Sequence, residues 1–295
     1  MNKSAPQQAV DLAAALGSDL RITQGPGGNI SMKENGILWV KASGSHMALA
    51  NSQKIFVPIN LQDARNKIRE GSVNFESLHS SSSLRPSIET SMHAIIDAPF
   101  VAHVHSLGSL SVSALRNLEL ARKLAQKVCK ISVIPYVKPG IELAKSIENI
   151  LDTKSSALLL GNHGLTVWGE SPSQCQELIA ELEIIWRNRN VGEVDVREYE
   201  WIEILLGGIL FPDELIFLGE ESFIVNPLAK DVFGLLSDIG IQKTKKAPWL
   251  VDFLKVLEGV ARSGATVREI RYLTLLECNE LLNWDAEKFR RERIE

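Results

Sequence analysis

Cysteine is scarce in this chain and is placed without any pairing pattern. The 295 residues contain three cysteines, Cys129, Cys175 and Cys278, which are far apart in the sequence. An odd number of distant cysteines excludes a disulfide framework and indicates free thiols in a reducing compartment. We therefore expect a cytoplasmic protein.

The chain also lacks a dominant charge and a long apolar run. Its net charge is −4, which gives no support for nucleic acid or an anionic membrane surface as a partner. The longest apolar stretch, near residues 202–211, is much shorter than the roughly 20 residues that cross a bilayer. The first ten residues, MNKSAPQQAV, lack the apolar core of a secretory signal.

Two glycine-rich turns are present, but neither matches a nucleotide-binding motif. GPGGNIS (25–31) and ASGS (42–45) each offer closely spaced backbone N–H groups with Asn or Ser side chains, which suits an anion. No Gly-Lys-Ser/Thr follows them, and Ile30 occupies the last glycine position of GxGxxG, so neither a P-loop nor a Rossmann site is supported. The simpler alternative is two ordinary turns between strands.

Strand and helix patterns alternate over the first two-thirds of the chain, which predicts an α/β fold. Pro6–Leu16 is rich in Ala and Leu, and Gly17 is expected to stop this helix. Ser87 is a candidate N-cap of a helix, with Glu89 in its first turn. Residues 156–169 predict two strands around a tight Asn-His-Gly turn, followed by a helix.

Composition shifts after about residue 195, and the remainder is predicted to be mostly helical. PDELIFLGEESFIV (212–225) is the exception, because its pattern predicts a hairpin or a pair of strands. The charged run KFRRERIE (288–295) predicts a solvated helix end.

The chain has six histidines, and His103 and His105 occupy alternate positions of one predicted strand, FVAHVHS (100–106). Residues i and i+2 of a strand share a face, with Cα atoms about 6.6 Å apart. Two imidazoles at that spacing can bind one metal ion. Two surface histidines on a half-exposed strand are the other interpretation.

His163 is the candidate third ligand, because the glycines around it allow an unusual backbone and close approach. Three neutral imidazoles on Zn²⁺ leave an open coordination position, as in catalytic sites. Glu89 is the candidate carboxylate, although a first-turn glutamate is also common without any catalytic role. We expect the other three histidines to be structural or exposed: His46, His79 and His93.

Several motifs together resemble the class II aldolase/adducin family over about residues 8–190. In family order they are GGNIS (27–31), ILWVKASG (37–44), RPSIETSMHA (85–94), VAHVHS (101–106) and GNHGLTVWGES (161–171). The RPSIE form and PYVKPGIELAKSI (135–147) are similar to a branch that includes the aldolase portion of bifunctional rhamnulose-phosphate aldolase/dehydrogenase proteins. The tail, with PDELIFLG and NWDAEKFR, is similar to extensions in that branch.

The resemblance implies roles for individual residues. His103, His105 and His163 match the family's zinc ligands, for which Co²⁺ or Mn²⁺ are alternatives, and Glu89 matches its catalytic acid/base. The positions that match the substrate-phosphate site of the sugar-phosphate aldolases are Gly28, Asn29, Ser43, Gly44 and Ser87. A tyrosine acts on the leaving aldehyde in some members, and it cannot be assigned among Tyr136, Tyr199 and Tyr272.

The resemblance also implies an architecture. We expect a three-layer α/β/α sandwich with a mainly antiparallel central sheet in residues 1–195. Residues 196–295 are expected to form a mostly helical C-terminal extension, packed on the core or at an oligomer interface. Family members are commonly tetramers with active sites near subunit interfaces, so a homo-oligomer is expected.

The function implied is a zinc-dependent aldolase that cleaves a ketose phosphate or related hydroxy-ketone through an enediolate. Two departures affect the substrate: Pro26 stands where many members carry Thr or Ser, and Ile88 replaces a second phosphate-binding Ser. A sugar-phosphate 4-epimerase or a decarboxylase with the same zinc chemistry is an alternative. A third alternative is a non-catalytic binding protein like adducin.

Overall fold

The computed structural model describes residues 4–79, 83–151, 155–188 and 200–292. Within them one seven-stranded sheet forms, in the order β3-β2-β1-β4-β7-β6-β5. Its strands are β1 (Asn29–Glu34), β2 (Ile37–Lys41), β3 (Phe56–Asn60), β4 (Phe100–Val104), β5 (Ile131–Ile134), β6 (Ala157–Leu160) and β7 (Gly164–Gly169).

The sheet is mainly antiparallel. The pairs β1–β2, β2–β3, β1–β4, β4–β7 and β6–β7 run antiparallel, and β5–β6 is parallel. The central strand β4 pairs with β1 on one side and with β7 on the other. In this register His103 lies opposite Asn29 of β1 and opposite Thr166 of β7. This register brings three segments that are distant in sequence to one end of β4.

Seven helices belong to the part of the chain before residue 189 that the structure describes. They are α1 (Gln7–Ser18), α2 (Leu61–Arg69), α3 (Thr90–Ile95), α4 (Leu107–Ser113), α5 (Glu119–Ala125), α6 (Ile141–Ile150) and α7 (Pro172–Arg187). Helix α7 begins where the sequence predicts, because Pro172 occupies its first turn and Ser171 Oγ accepts a hydrogen bond from the Gln174 amide at 3.3 Å.

These helices cover both faces of the sheet, which confirms the three-layer sandwich. Helices α1, α4, α5 and α7 pack on one face, and α2, α3 and α6 pack on the other. Alternate residues of β4 serve the two sides, since Ala102 and Val104 join the first core and Val101 joins the second. His103 therefore points to the layer that contains α3.

The C-terminal segment, defined here as residues 200–292, is helical as predicted. It contains α8 (Glu200–Leu206), α9 (Pro212–Phe217), α10 (Asp238–Lys246), α11 (Leu250–Ala261), α12 (Leu275–Leu282) and α13 (Asp285–Glu292). Short 3-10 turns lie at Met47–Leu49, Glu220–Ser222, Val232–Leu235 and Val267–Glu269. No helix of the described residues is long and apolar enough to cross a membrane.

The C-terminal segment packs on the sandwich through α11 and α4. The approach is close: a Cβ added at Gly259 would lie 2.8 Å from Leu107 Cδ1. Backbone hydrogen bonds also join the sandwich to the C-terminal segment, and in one of them the Arg116 amide donates to the Glu269 carbonyl at 2.7 Å. The predicted domain boundary near residue 195 lies outside the described residues and stays a prediction.

Two local predictions are wrong, for physical reasons. Gly17 does not stop α1 but lies within it. A glycine is needed there because the helix packs closely on the 3-10 turn Met47–Leu49: a Cβ at Gly17 would be 2.2 Å from the Ala48 amide nitrogen. Residues 212–225 form α9 and a 3-10 turn, not a hairpin. Pro212 at the first helical position and the acidic first turn are helix-start signals, and all six residues of α9 are buried.

Candidate metal centre and adjoining cavity

His103 and His105 come from the end of β4. His103 is within the strand and fully buried, and His105 follows it one residue beyond its end. Their Nε2 atoms are 3.0 Å apart. Alternation along the strand thus sends both rings to the same place, as the sequence predicts.

His163 reaches the same place from the turn between β6 and β7. Because β7 pairs with β4, this turn lies beside the end of β4. The His163 ring centroid is 4.8 Å from that of His103 and 5.5 Å from that of His105. Asn162 adopts the left-handed backbone conformation at φ 50° in the turn, a conformation that asparagine tolerates better than most residues.

Glu89 completes the cluster from the α3 layer, which covers the face of the sheet to which His103 points. It stands at the N-cap position of α3, one residue before the helix begins. The prediction that Ser87 caps this helix is therefore wrong. Ser87 Oγ instead accepts a hydrogen bond from the Glu89 amide at 3.3 Å. Glu89 Oε1 lies 3.1 Å from His103 Nε2 and 3.2 Å from His163 Nε2. One ligand atom from each of the four residues lies within 4.8 Å of the others.

The protonation states of these groups suit a divalent cation. Burial lowers the pKa of His163 to about 4, so its ring is neutral near pH 7, the form that binds a metal. Burial by itself would raise the pKa of Glu89, but His103 and His163 hold it well below its usual value, so the carboxylate is ionised. Buried imidazoles and one carboxylate are ligands of the kind that Zn²⁺ takes, so the residues fit a divalent metal ion.

The other three histidines are not members of the cluster. His93 is fully buried, and its Nδ1 lies 2.7 Å from Ser31 Oγ. Its ring forms no hydrogen bond with the side chain of Glu89, which precedes it by one helical turn, and its Nε2 has no partner among the described residues. His46 contacts the Trp249 ring edge-on, and His79 contacts Trp39 in the same way.

A small cavity adjoins the cluster, and four of the five residues predicted to bind a phosphate line it: Gly28, Ser43, Gly44 and Ser87. Gly28 has a φ of +66°, and a Cβ there would lie 2.9 Å from the His103 carbonyl oxygen. The fifth, Asn29, is buried beside His103 in the register of β1 and β4, and its Oδ1 and Nδ2 have no partner among the described residues.

Lys41 also lines this cavity, and it is a site residue that the sequence motifs did not predict. It lies at the end of β2 and is 2 % exposed. Its Nζ donates to the carbonyl oxygens of Pro26 at 2.8 Å and Ser45 at 2.7 Å, which ties the two glycine-rich turns together. Burial lowers the pKa of Lys41 to about 7, with the nearby Arg290 charge adding to the effect. A lysine inside the apolar run ILWVK is the signal that could have indicated it.

Four further residues of the cavity come from the C-terminal segment: Pro212, Asp213, Glu287 and Arg290. Arg290 Nη2 lies 2.7 Å from Asp213 Oδ1, and Arg290 Nη1 lies 2.9 Å from Glu287 Oε2. Asp213 Oδ2 lies 2.9 Å from His105 Nδ1. Burial would raise the pKa of Asp213, but the Arg290 charge and His105 hold it far below its usual value.

The prediction of a solvated helix end at 288–295 is therefore wrong for Arg290, whose side chain is 11 % exposed. Helix α13 is amphipathic, and Arg290 shares its inward side with Glu287, which is fully buried. A run of charged residues in the sequence does not show which side of the helix will pack on another part of the chain.

The cavity measures about 20 Å³, which is room for one water molecule or ion. The ketose phosphate that the sequence motifs imply is much larger than this cavity, so it would enter only if side chains around the cavity move. Tyr136 and Tyr272 are not among the lining residues, and Tyr199 lies outside the described residues.

The structure is an α/β fold with a mixed sheet between two helical layers. A buried cluster of three histidines and one carboxylate at a strand end is its candidate metal site. The chain belongs to the class II aldolase and adducin family, since the model of the Class II Aldolase and Adducin N-terminal domain matches residues 7–188. This confirms the family resemblance of the sequence motifs.

The chain is also similar to individual known proteins. The chain is 31% identical over 183 residues to the uncharacterized oxidoreductase YuxG of Bacillus subtilis, a match that covers 55% of this chain and 26% of that protein. It is 27% identical over 184 residues to L-fuculose phosphate aldolase of Methanococcus maripaludis strain C5, covering 58% of this chain and 91% of that enzyme. The family thus includes lyases.

A solved structure supports the fold directly. The N-terminal class II aldolase domain of a conserved protein from Thermoplasma acidophilum superimposes with a TM-score of 0.52 at 25% identity. The match covers 64% of this chain and 94% of that domain. The described C-terminal segment therefore lies mostly beyond what this relative shares.

Proposed function

We propose that this chain is a metal-dependent aldehyde-lyase that performs retro-aldol cleavage of a ketose phosphate or a related hydroxy-ketone. The observation that carries the proposal is the set of four ligand atoms within 4.8 Å, from Glu89, His103, His105 and His163. It borders the cavity formed by the two glycine-rich turns. The relatedness to L-fuculose phosphate aldolase supports the same class of reaction.

In this proposal His103, His105 and His163 hold a divalent ion, with Zn²⁺ as the expected metal. A metal bound there acts as a Lewis acid that polarises the substrate carbonyl and stabilises the negative charge that develops when the C–C bond breaks. Glu89 lies 3.1 Å from His103 Nε2 and is ionised, so it is the group placed to carry a proton to and from the substrate carbon.

The glycine-rich turns position the far end of the substrate. Gly28, Ser43, Gly44 and Ser87 line the cavity, where the two serine hydroxyls are candidate donors, and the unpartnered Asn29 amide adds a buried donor next to Gly28. The Ser43 N–H is not available, because it donates to the Arg85 carbonyl at 2.9 Å. Ile88 also lines the cavity but offers no donor. Anchoring the anionic end fixes the reacting bond relative to Glu89, which lowers the entropic part of the barrier.

The test is loss of metal together with loss of activity. We expect His103→Ala and His163→Ala to lower bound Zn²⁺, measured on purified protein, and to abolish release of two fragments from ketose phosphates. His79→Ala is the matched control, since that ring contacts Trp39 away from the cluster. Full activity in metal-free protein would contradict the proposal.

Product analysis separates the alternatives that share this site. Two fragments indicate a lyase, a single isomer indicates a 4-epimerase, and CO₂ indicates a decarboxylase. Absence of both bound metal and turnover would favour an adducin-like binding protein.

We also propose that the chain forms a homo-oligomer in the cytoplasm. Large apolar side chains of the C-terminal segment are strongly exposed, including Val225 at 81%, Leu228 at 84% and Leu275 at 74%. Exposed apolar side chains of this size suit burial against another copy of the chain. Light scattering on the purified protein measures its mass, and a monomer at micromolar concentration would contradict this part of the proposal.

A further inference from the structure

We propose that Asp213 is a positioning residue of the metal centre, which orients the His105 imidazole so that its Nε2 faces the ion. The C-terminal segment then contributes a residue to the metal site, in addition to packing on the family domain. This inference rests on the proposed metal site described above.

The three histidines are fixed by different means. His103 Nδ1 lies 3.0 Å from Thr166 Oγ1, inside the sheet. His163 Nδ1 has no partner among the described residues, and its turn is held by the hydrogen bonds that Asn162 donates to the Leu210 and Arg271 carbonyls. His105 is beyond the end of β4, where the strand no longer constrains it, and its Nδ1 contacts Asp213 Oδ2 at 2.9 Å.

This contact ties a candidate ligand histidine to a buried carboxylate. A ligand histidine commonly donates its other ring N–H to a carboxylate, which fixes the tautomer and the ring orientation and makes the ligand more basic. Since Nε2 of His105 points to His103 Nε2 at 3.0 Å, the Nδ1–H donated to Asp213 leaves Nε2 free to bind the ion.

Asp213 is itself held rigidly. It is 6 % exposed and lies in the first turn of α9, directly after Pro212. Its other oxygen, Oδ1, accepts from Arg290 Nη2 at 2.7 Å, and Glu287 binds the same guanidinium through Nη1. Helices α9 and α13 therefore meet behind His105 and give the carboxylate one orientation.

Gly27 shows how closely the chain surrounds this hydrogen bond. A Cβ added at Gly27 would lie 3.0 Å from Asp213 Oδ2 and 3.1 Å from His105 Nδ1. A side chain at this position of the first turn would therefore press on the Asp213–His105 contact, which links a motif of the family domain to a residue of the C-terminal segment.

The experiment measures the zinc dissociation constant by chelator competition for the wild type, Asp213→Ala and Asp213→Asn. We expect Asp213→Ala to bind zinc about 10- to 100-fold more weakly. Asp213→Asn should fall between it and the wild type, because the amide oxygen still accepts from Nδ1–H. Asp238→Ala is the matched control, since Asp238 also lies in a helix first turn of the C-terminal segment but does not line the cavity.

Two further measurements separate positioning from stability. The Co²⁺-substituted protein should show a changed d–d absorption spectrum in Asp213→Ala, and thermal unfolding of the metal-free proteins reports any general destabilisation. Gly27→Ala disturbs the same hydrogen bond from the other side without removing its atoms, so it should weaken zinc binding in the same direction.

The outcomes are distinct. Wild-type protein that binds no metal overturns the proposed function. Wild-type protein that binds zinc, with Asp213→Ala and Gly27→Ala binding it equally well, overturns this inference alone. A lower unfolding temperature of the metal-free Asp213→Ala protein with unchanged zinc affinity assigns Asp213 a merely structural role, and also overturns it.

Discussion

At the scale of the residue, the chemistry of the site comes from ordinary side chains in unusual surroundings. His163 is kept neutral by burial, and Glu89 is kept ionised by the imidazoles around it. The two kinds of group therefore adopt, near neutral pH, the forms that a metal ligand and a proton acceptor need.

Glu89→Gln is expected to separate metal binding from catalysis. The amide keeps the shape of the side chain but cannot take up a proton, so kcat should fall by about 10²–10⁴-fold. Bound zinc should stay near the wild-type level, because the three histidines remain. Steady-state kinetics and metal analysis check this, with Glu142→Gln in the first turn of α6 as the control. Unchanged kcat would remove Glu89 from the mechanism.

Lys41 makes the stability of the protein depend on pH. Burial lowers its pKa to about 7 from the value of 10.5 expected in the unfolded chain. Between these values the unfolded state binds more protons than the folded state, so the free energy of unfolding should rise with pH across this window.

Lys41→Met is expected to reduce this rise in stability between about pH 7 and pH 10. Urea unfolding at several pH values measures it, and Lys54→Met serves as the control because Lys54 is exposed. A pH dependence identical in Lys41→Met and wild type would show that Lys41 is not the group responsible.

At the scale of the element, the site is made where segments end. β4 ends one residue before His105, α3 begins one residue after Glu89, and the β6–β7 turn carries His163. Ends of strands and helices leave side chains free of the regular packing pattern, which lets them converge.

The turn that carries His163 is itself fixed by the C-terminal segment. Asn162 Nδ2 donates to the Leu210 carbonyl at 2.9 Å and the Arg271 carbonyl at 2.7 Å, and Asn162 Oδ1 accepts from Arg271 Nη1 at 2.9 Å. Together with the contact between α9 and His105, this means that two of the three candidate ligands are supported from beyond the family domain.

At the scale of the whole molecule, the family domain and the C-terminal segment share one core. Trp201, Phe211, Phe253 and Leu257 of the segment belong to the same apolar cluster as Leu110 and Val112 of α4. Removing the segment would expose this surface to water, where an apolar patch of that extent favours aggregation.

A chain that ends at residue 188 is therefore expected to be insoluble or aggregated, although it contains the whole of the matched family region. Its solubility, its elution in size-exclusion chromatography and its zinc content check this against the full chain. A soluble monodisperse fragment with wild-type zinc affinity would contradict both the shared core and the role assigned to Asp213.

The sequence by itself determined the family, the layered α/β fold and the identity of the three histidines and the glutamate. These signals are local or ordered along the chain: alternation places His103 and His105 on one face, and five motifs in family order specify the sheet around them. The side chains that the sequence suggested for the cluster do lie together, while their roles stay predictions.

Only the tertiary structure decided what surrounds that cluster. Asp213 is 108 residues beyond His105 by their numbers, and Arg290 is further still, so no spacing rule connects them. Their motifs even indicated a strand pair and a solvated helix end. The physical reason is that a charged side chain is buried only where a partner pairs with it. These partners come together only when α9 and α13 pack against the end of β4.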